Sequence, residues 1–315
     1  MALKILSGLK KTHSIKHLIH QRLAGWEEPR VTKYIHASDL MKSPEYCPRE
    51  QAFIDLGLAH KKGMFVGTSL RITFDHGKSL ENNLRNNWLR DIAVGRWKCQ
   101  VCGAKHPTFG KAPTVKCKTC GYGHMWMYDE SRFVSPSSGI SGSIDLLVDV
   151  GDTKLRLIEV KSMAPDGFKS LIAPLAEHKF RTALYLKLIA ESELPESDRI
   201  NSQEGHILYI VKSFGFKDTT LKEAGIKDSP YSPIREFCVK RDDELIKTPV
   251  AKAKVFHHWR INGREGMPAG ICSNGLCKRA QSCSAVTPCF SGKYPNTLTW
   301  MEDSKIKHPG KKVIE

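Results

Sequence analysis

No apolar run in the chain approaches the roughly 18 residues that a membrane-spanning helix requires, and the first 26 residues contain no acid. That opening also lacks the apolar core of roughly 7–15 residues that marks a secretory signal. A transit peptide and a basic helix that touches DNA remain, and the second is the simpler reading. The apolar share of 40% is ordinary and excludes a disordered chain. Acids are in deficit: 33 Asp and Glu face 49 Lys and Arg, a net charge of +16. A surplus of that size favours a polyanionic partner, because each bound phosphate releases condensed counterions. The alternative is a protein that is merely basic and soluble. No internal repeat is visible, and the length suits one large domain or two small ones.

Apolar periodicity and turn residues divide the rest. Residues 36–60 are expected to be helical after a cap at Ser38 or Asp39. A second helix is expected over 77–92, with Leu80, Leu84 and Trp88 on one stripe. Residues 140–150 and 154–162 alternate like a hairpin. A helix is expected over 176–191, strands over 205–212 and 234–240, and a helix over 242–261 that Pro249 bends or breaks. Residues after Cys289 are polar and expected to be partly mobile. This order implies an α/β class, a mixed sheet flanked by helices.

Glu159 and Lys161 lie two apart on one strand and so project from one face, whereas Ile158 and Val160 point the other way. A carboxylate beside an ammonium can serve a metal ion and an attacking water; the plain alternative is a surface hairpin with a solvated acidic edge. Asp145 sits on the preceding strand, and its position depends on register. A two-residue Gly151-Asp152 turn pairs Asp145 with Ile158 and sends the acids to opposite faces. A loop from Gly151 to Thr153 pairs Val150 with Lys154 and Asp145 with Glu159, about 4.5–5.5 Å apart at Cβ. Two carboxylates that close repel unless a divalent cation bridges them, so the odd loop is expected.

The segment resembles the signature of the PD-(D/E)xK nuclease superfamily, here Gly142-Ser-Ile-Asp145 followed by Glu159-Val160-Lys161. Gly77-x-x-x-Glu81 is similar to the element that RecB-type exonucleases carry ahead of the core. Tyr185 matches their Gln-x-x-x-Tyr helix, but Arg181 stands where Gln is usual. The resemblance spans roughly residues 36–90 and 126–290. It implies a restriction-endonuclease-like fold and phosphodiester hydrolysis. Asp145, Glu159, the Val160 carbonyl and Glu81 would hold Mg²⁺ or Mn²⁺, Lys161 would orient the water, and Arg181 and Tyr185 would contact DNA.

The ten cysteines, without a secretion signal, point to bound metal in a reducing cytoplasm rather than to disulfides. Cys99-x-x-Cys102-Gly and Cys117-x-x-Cys120-Gly have the spacing of a Cys₄ zinc ribbon, with Gly103 and Gly121 relieving the turns. Lys98, Lys105, Lys111, Lys116 and Lys118 crowd it, so it reads as a DNA-touching ribbon or a purely structural clip. Its loss is expected to leave the core standing. Cys272, Cys277, Cys283 and Cys289 are spaced more loosely. With Cys47, in Tyr46-Cys47-Pro48-Arg49, they resemble the iron–sulfur nucleases of the CRISPR-adaptation and AddB types, which hold a 4Fe–4S cluster on one early and three late cysteines. The favoured set is Cys47, Cys272, Cys283 and Cys289, with Cys277 as a substitute; the rival is zinc on the four late cysteines. Cys238 is expected in the core.

The expected organisation follows. A helical part over 1–95 carries Cys47 and Gly77-x-x-x-Glu81. The zinc ribbon insert covers 96–125, the nuclease core 126–262, the C-terminal cysteine cluster 263–295 and a polar tail 296–315. The implied protein is a cytoplasmic DNA exonuclease acting on linear ends or single strands in recombination, repair or replication, with proteins of those processes as partners and no membrane; a phage genome is one candidate source. The alternatives are a structure-selective endonuclease and a non-catalytic DNA-binding or recombination factor on a nuclease scaffold.

Overall fold

The computed structural model describes residues 15–27, 33–41, 46–60, 64–123, 125–212 and 232–298. The chain runs α1 (Ile15–Leu23), β1 (Gly25–Glu27), β2 (Ile35–His36), α2 (Ala37–Leu40), α3 (Pro48–Asp55), β3 (Met64–Val66) and α4 (Thr68–Asn83), which ends in a π-helical turn, Leu84–Trp88. It continues through β4 (Arg96–Cys99), β5 (Trp126–Asp129), β6 (Ser131–Ser135), β7 (Ile140–Ile144), β8 (Leu146–Val148) and β9 (Leu155–Met163). Then come α5 (Pro165–Lys169), α6 (Ala176–Glu191), β10 (Ile200–Val211), β11 (Ile234–Lys240), α7 (Asp243–Ile261), α8 (Lys278–Ser282) and α9 (Val286–Cys289).

The central sheet has the order β11-β10-β9-β8, with β9 and β10 parallel and both outer pairs antiparallel. Parallel neighbours need a crossover, and α6 supplies it. Its Ala183, Leu184, Tyr185, Leu186, Leu188 and Ile189 are buried in the main core with Leu157 of β9. On the other side, Ile158 and Val160 join a second core with Leu146, Val148 and the aromatics of β4 and β5. In the middle of β9, Glu159 and Lys161 interrupt an apolar stretch on the side facing α6.

The expected α/β class and mixed sheet are present. Helix α6 and strand β11 have the expected bounds, and α7 runs through Pro249 unbroken. Other boundaries differ. The 36–60 stretch is two helices: α2, whose cap is the His36 ring accepting from Ser38 N at 3.3 Å, and α3, which begins at Pro48 with Cys47 as N-cap. A proline at the first helical position loses no needed donor, which explains that start. The helix expected over 77–92 begins earlier, at Thr68, and its last turn is π-helical. The expected 140–150 strand is broken at Asp145 into β7 and β8, which belong to different sheets. Strand β6 had no counterpart in the sequence reading. Residues 1–14 of the basic N-terminal segment and 299–315 of the polar tail lie outside the described residues. Among the described residues no helix is long and apolar enough to cross a membrane.

Candidate active site and metal centres

Asp145 stands where two ladders meet. In the β8–β9 ladder Leu146 faces Ile158, and one step further sets Asp145 opposite Glu159. In the β6–β7 ladder Ser131 faces Ile144, and one step further sets Glu130 opposite the same Asp145. The first register is the one expected from charge pairing, although the ladder stops at Val148 opposite Arg156 and the loop is longer than three residues. Asp145 and Glu130 are each the single residue between strands of different sheets, where the pleat is interrupted and two chain segments converge on one point.

The carboxylate oxygens of Glu81, Glu130 and Asp145 all lie within 4.8 Å of one another. Glu81 arrives on α4, and Gly77 one turn before lets that helix approach β9: a Cβ there would sit 3.2 Å from Ser162 Oγ. The π-helical turn buries Arg85 against the same group. Its guanidinium lies 2.9 Å from Glu130, 3.2 Å from the Asp145 carbonyl and 3.7 Å from Glu81. π-turns recur at functional sites because they re-aim a side chain within a helix. Neither Glu130 nor Arg85 was singled out from the sequence. The signal for Glu130 was its place in phase with Trp126 and Tyr128, in a stretch to which no strand had been assigned.

Glu159 is fully buried. Its Oε1 receives Lys161 Nζ at 2.5 Å and Arg181 Nη1 at 3.0 Å. Its Oε2 is buried with no hydrogen-bond partner. Asp145 Oδ2 accepts from Val160 N at 2.9 Å and lies 3.8 Å from Lys161 Nζ, which also donates to the Val160 carbonyl at 3.0 Å. Burial disfavours the charge on Glu159, but Lys161 and Arg181 outweigh it and hold its pKa below the usual carboxylate value. Burial likewise opposes the charge on Lys161, and Glu159 with Asp145 overcomes it, so this lysine stays protonated. Asp145 goes the other way: burial and then Glu159 push it well above its ordinary value, and burial also raises Glu81. One arginine among three carboxylates, plus an orphaned carboxylate oxygen, is a donor set with acceptors to spare. Carboxylate oxygens with a backbone carbonyl are what a hard divalent cation takes, so the residues fit Mg²⁺ or Mn²⁺.

Both DNA-contact candidates have partners within the protein. Tyr185 is 4% exposed and belongs to the main core, packed over Gly142: a Cβ at Gly142 would lie 2.5 Å from Tyr185 Cε1 and 3.1 Å from Leu188 Cδ1. The glycine of the Gly-x-x-Asp motif is therefore the place where α6 seats on β7. Arg181 is held by Glu159 at 3.0 Å and by Met41 Sδ at 2.9 Å. Gly142→Ala is expected to cost about 1–3 kcal/mol by overpacking, read as a lower urea midpoint.

The first cysteine group is assembled. Cys99 and Cys120 sulfurs are 3.6 Å apart, Cys102 and Cys117 sulfurs 3.7 Å, and all four lie within 4.8 Å. A tetrahedron with metal–sulfur bonds of about 2.3 Å has edges of about 3.8 Å, so the set fits one zinc-sized ion. Each knuckle closes alike: Gly103 N donates to Cys99 O and Gly121 N to Cys117 O, both glycines at positive φ. Three of the five lysines pair with acids, Lys98 and Lys105 with Asp129 and Lys111 with Asp149.

The cysteine module shares a core with the hairpin. Trp97, Trp126 and Tyr128 are buried with Leu146, Val148, Ile158 and Val160 in one cluster. The Tyr128 hydroxyl accepts from Leu147 N and donates to the Val94 carbonyl. Strand β5 leads directly into Glu130. Cys117→Ser is therefore expected to release the metal and also to lower any activity of the Asp145 site at least about tenfold, by loosening Glu130; metal analysis with a cleavage assay checks both.

The second group also converges. Cys47, Cys272, Cys283 and Cys289 line one small cavity with Glu50, Gly270 and Arg279. Arg49 Nε donates to Cys289 Sγ at 3.2 Å, Arg279 Nη1 to Cys272 Sγ at 3.7 Å, and Cys283 Sγ to Glu50 Oε1 at 3.3 Å. Cys277 is outside that lining and caps α8, its sulfur accepting from Ala280 N at 3.4 Å. Among the described residues, the late cysteines are not one of the groups whose ligand atoms all lie within 4.8 Å. The Cys272 and Cys277 thiols also contact each other, and four cysteines with two sulfur-facing arginines are a donor set that could hold a metal centre. Cys238 is exposed, not in the core as expected, because its side of β11 faces outward.

No known protein family matches the chain, and no curated protein does. Solved structures with similar arrangements include the alkaline exonuclease LHK-Exo from Laribacter hongkongensis, at 15% identity over 74% of this chain and 92% of that one, TM-score 0.38. The same protein in complex with dAMP matches at 15% identity over 79% and 96%, TM-score 0.39. A phage-related exonuclease from Haemophilus somnus 129PT matches at 16% identity over 69% and 82%, TM-score 0.33.

Proposed function

We propose that this chain is a divalent-metal-dependent nuclease that hydrolyses DNA phosphodiester bonds, most simply an exonuclease acting on linear ends or single strands. The observation that carries this reading is the buried Glu159–Lys161 pair beside the Glu81–Glu130–Asp145 carboxylates, with Glu159 Oε2 left without a partner. Mg²⁺ or Mn²⁺ held by Asp145, Glu159, the Val160 carbonyl and Glu81 or Glu130 would polarise the scissile phosphate and acidify the attacking water. Lys161, kept charged by its two acids, would offset negative charge growing on the phosphate from where it already stands. Arg181 fixes the rotamer of Glu159, and Arg85 keeps Glu130 beside Asp145. The Cys99–Cys120 set would hold zinc as a structural clip. Cys47, Cys272, Cys283 and Cys289 would hold a 4Fe–4S cluster, and neither centre takes part in the hydrolysis. The net charge of +16 suits a DNA substrate.

The test is degradation of end-labelled linear DNA against closed circular DNA with Mg²⁺, Mn²⁺ or EDTA. Mononucleotide release from linear DNA alone, abolished by EDTA, is the expected result. Nicking of the circle would favour the structure-selective endonuclease, and no metal-dependent cleavage of either would leave the scaffold reading.

A further inference from the structure

The β10–β11 ladder sets His206 opposite Cys238, and Glu204, two residues before His206, shares its face. A carboxylate oxygen of Glu204, a ring nitrogen of His206 and Cys238 Sγ all lie within 4.8 Å of one another. Cys238 Sγ donates to Glu204 Oε2 at 3.7 Å. The His206 residue is 8% exposed. Its Nδ1 lies 2.6 Å from Glu236 Oε1, while its Nε2 is buried and has no hydrogen-bond partner. A neutral imidazole that donates from Nδ1 presents a lone pair at Nε2. A buried lone pair with nothing to accept is costly, unless a cation takes it. A carboxylate on the opposite ring nitrogen is how proteins orient histidines that bind metal.

This group is separate from the nuclease site. His206 is paired with Ile158 and Ile207 with Glu159, so the group sits on the other face of the sheet. The facing cations are Lys240, opposite Glu204, and Arg156, whose pKa is raised mainly by Asp152 and further by Glu236 and Glu204. Arg156 is already paired with Asp152, so Glu204, Glu236 and an ionised Cys238 would keep negative charge for a cation to balance. One sulfur, one imidazole nitrogen and one carboxylate oxygen form a mixed donor set of the kind that borderline divalent cations choose over Mg²⁺ or Ca²⁺.

We propose that Glu204, His206 and Cys238 form a third metal site, for a zinc-class divalent cation, with Glu236 holding the His206 ring in place. The ion clips edge strand β11 to β10 and takes a water as its fourth ligand. Burial and Glu204 hold the Cys238 thiol above its ordinary pKa, and a cation reverses that preference.

The test is equilibrium dialysis of the full-length protein against buffered micromolar zinc, with zinc counted per chain and iron counted separately. Wild type is expected to hold one zinc more than Cys238→Ser and one more than His206→Gln. Glu236→Gln is expected to weaken only this ion, by about 10–100-fold. With Co²⁺, the thiolate-to-metal absorption of this site should vanish in Cys238→Ser while that of the four ribbon cysteines persists. Cys238 is exposed, so its serine variant tests the site without disturbing the core. Equal zinc content in wild type and Cys238→Ser overturns the proposal. So does loss in Cys238→Ser with none in His206→Gln, which would mark an isolated surface thiol.

Discussion

Lys161→Ala is expected to lower metal-dependent DNA cleavage by a factor of at least about 100, the usual cost of losing a preorganised charge at a reacting oxygen. The ammonium lies 2.5 Å from Glu159 and 3.8 Å from Asp145, so it is already placed and loses no reorganisation energy when charge develops. Asp145→Ala should do the same by a different route, since both ladders point at that residue. Neither variant should bind DNA measurably less tightly, because the basic surface that supplies affinity is untouched. Lys161→Ala leaves Arg181 on Glu159, so the buried carboxylate keeps one counter-charge and the fold should survive. The check is single-turnover cleavage alongside a DNA-binding titration and a thermal melt. Cleavage at the wild-type rate by folded Lys161→Ala protein would sink the mechanism.

The second large effect is expected at Cys47, which lies at the start of α3 and lines one cavity with Cys272, Cys283 and Cys289. A cluster shared by these cysteines ties the N-terminal helices to the C-terminal end across more than half the chain. Protein contacts already join the two: Arg49 reaches the Pro268 carbonyl and Asn296, and Arg260 and Arg264 pair with Asp55. The cluster would reinforce that junction, and crosslinks closing long loops are worth about 2–5 kcal/mol. Anaerobically purified protein should be brown. Cys47→Ala should bleach it, lose iron and melt several degrees lower. Cys277→Ala should keep colour and iron, since Cys277 caps α8 outside the cavity. The converse pattern, iron kept without Cys47 and metal lost without Cys277, would favour zinc on the late cysteines.

Much of the architecture was legible because it is encoded within a few residues. Three-to-four-residue apolar spacing delimited α6, alternation delimited β11, and Cys-x-x-Cys-Gly repeats defined the ribbon. The hairpin parity was legible too, for an electrostatic reason: only one register brings Asp145 beside Glu159. Cooler signals misled where burial decides. Tyr185 was legible only as a motif residue, and its packing on Gly142 was not. Cys238 read as core from its strand, yet it sits on the outward face of an edge strand. Pro249 read as a breaker, yet α7 continues because buried Val250, Ala253 and Phe256 hold it against the core.

By itself, then, the sequence determined the α/β class, the strand carrying Glu159 and Lys161, the four ribbon cysteines and the partnership of Asp145 with Glu159. Each is a matter of spacing along one segment or across one turn. Tertiary structure alone decided that Glu130 and Arg85 join Glu81 and Asp145, that the ribbon shares its core with the hairpin, that Cys277 stands outside the cysteine cavity, and that Glu204, His206 and Cys238 meet. Those groupings draw on segments separated by tens to hundreds of residues. Local propensity carries no information about which distant faces pack together; only the burial of apolar surface between whole elements brings them into contact.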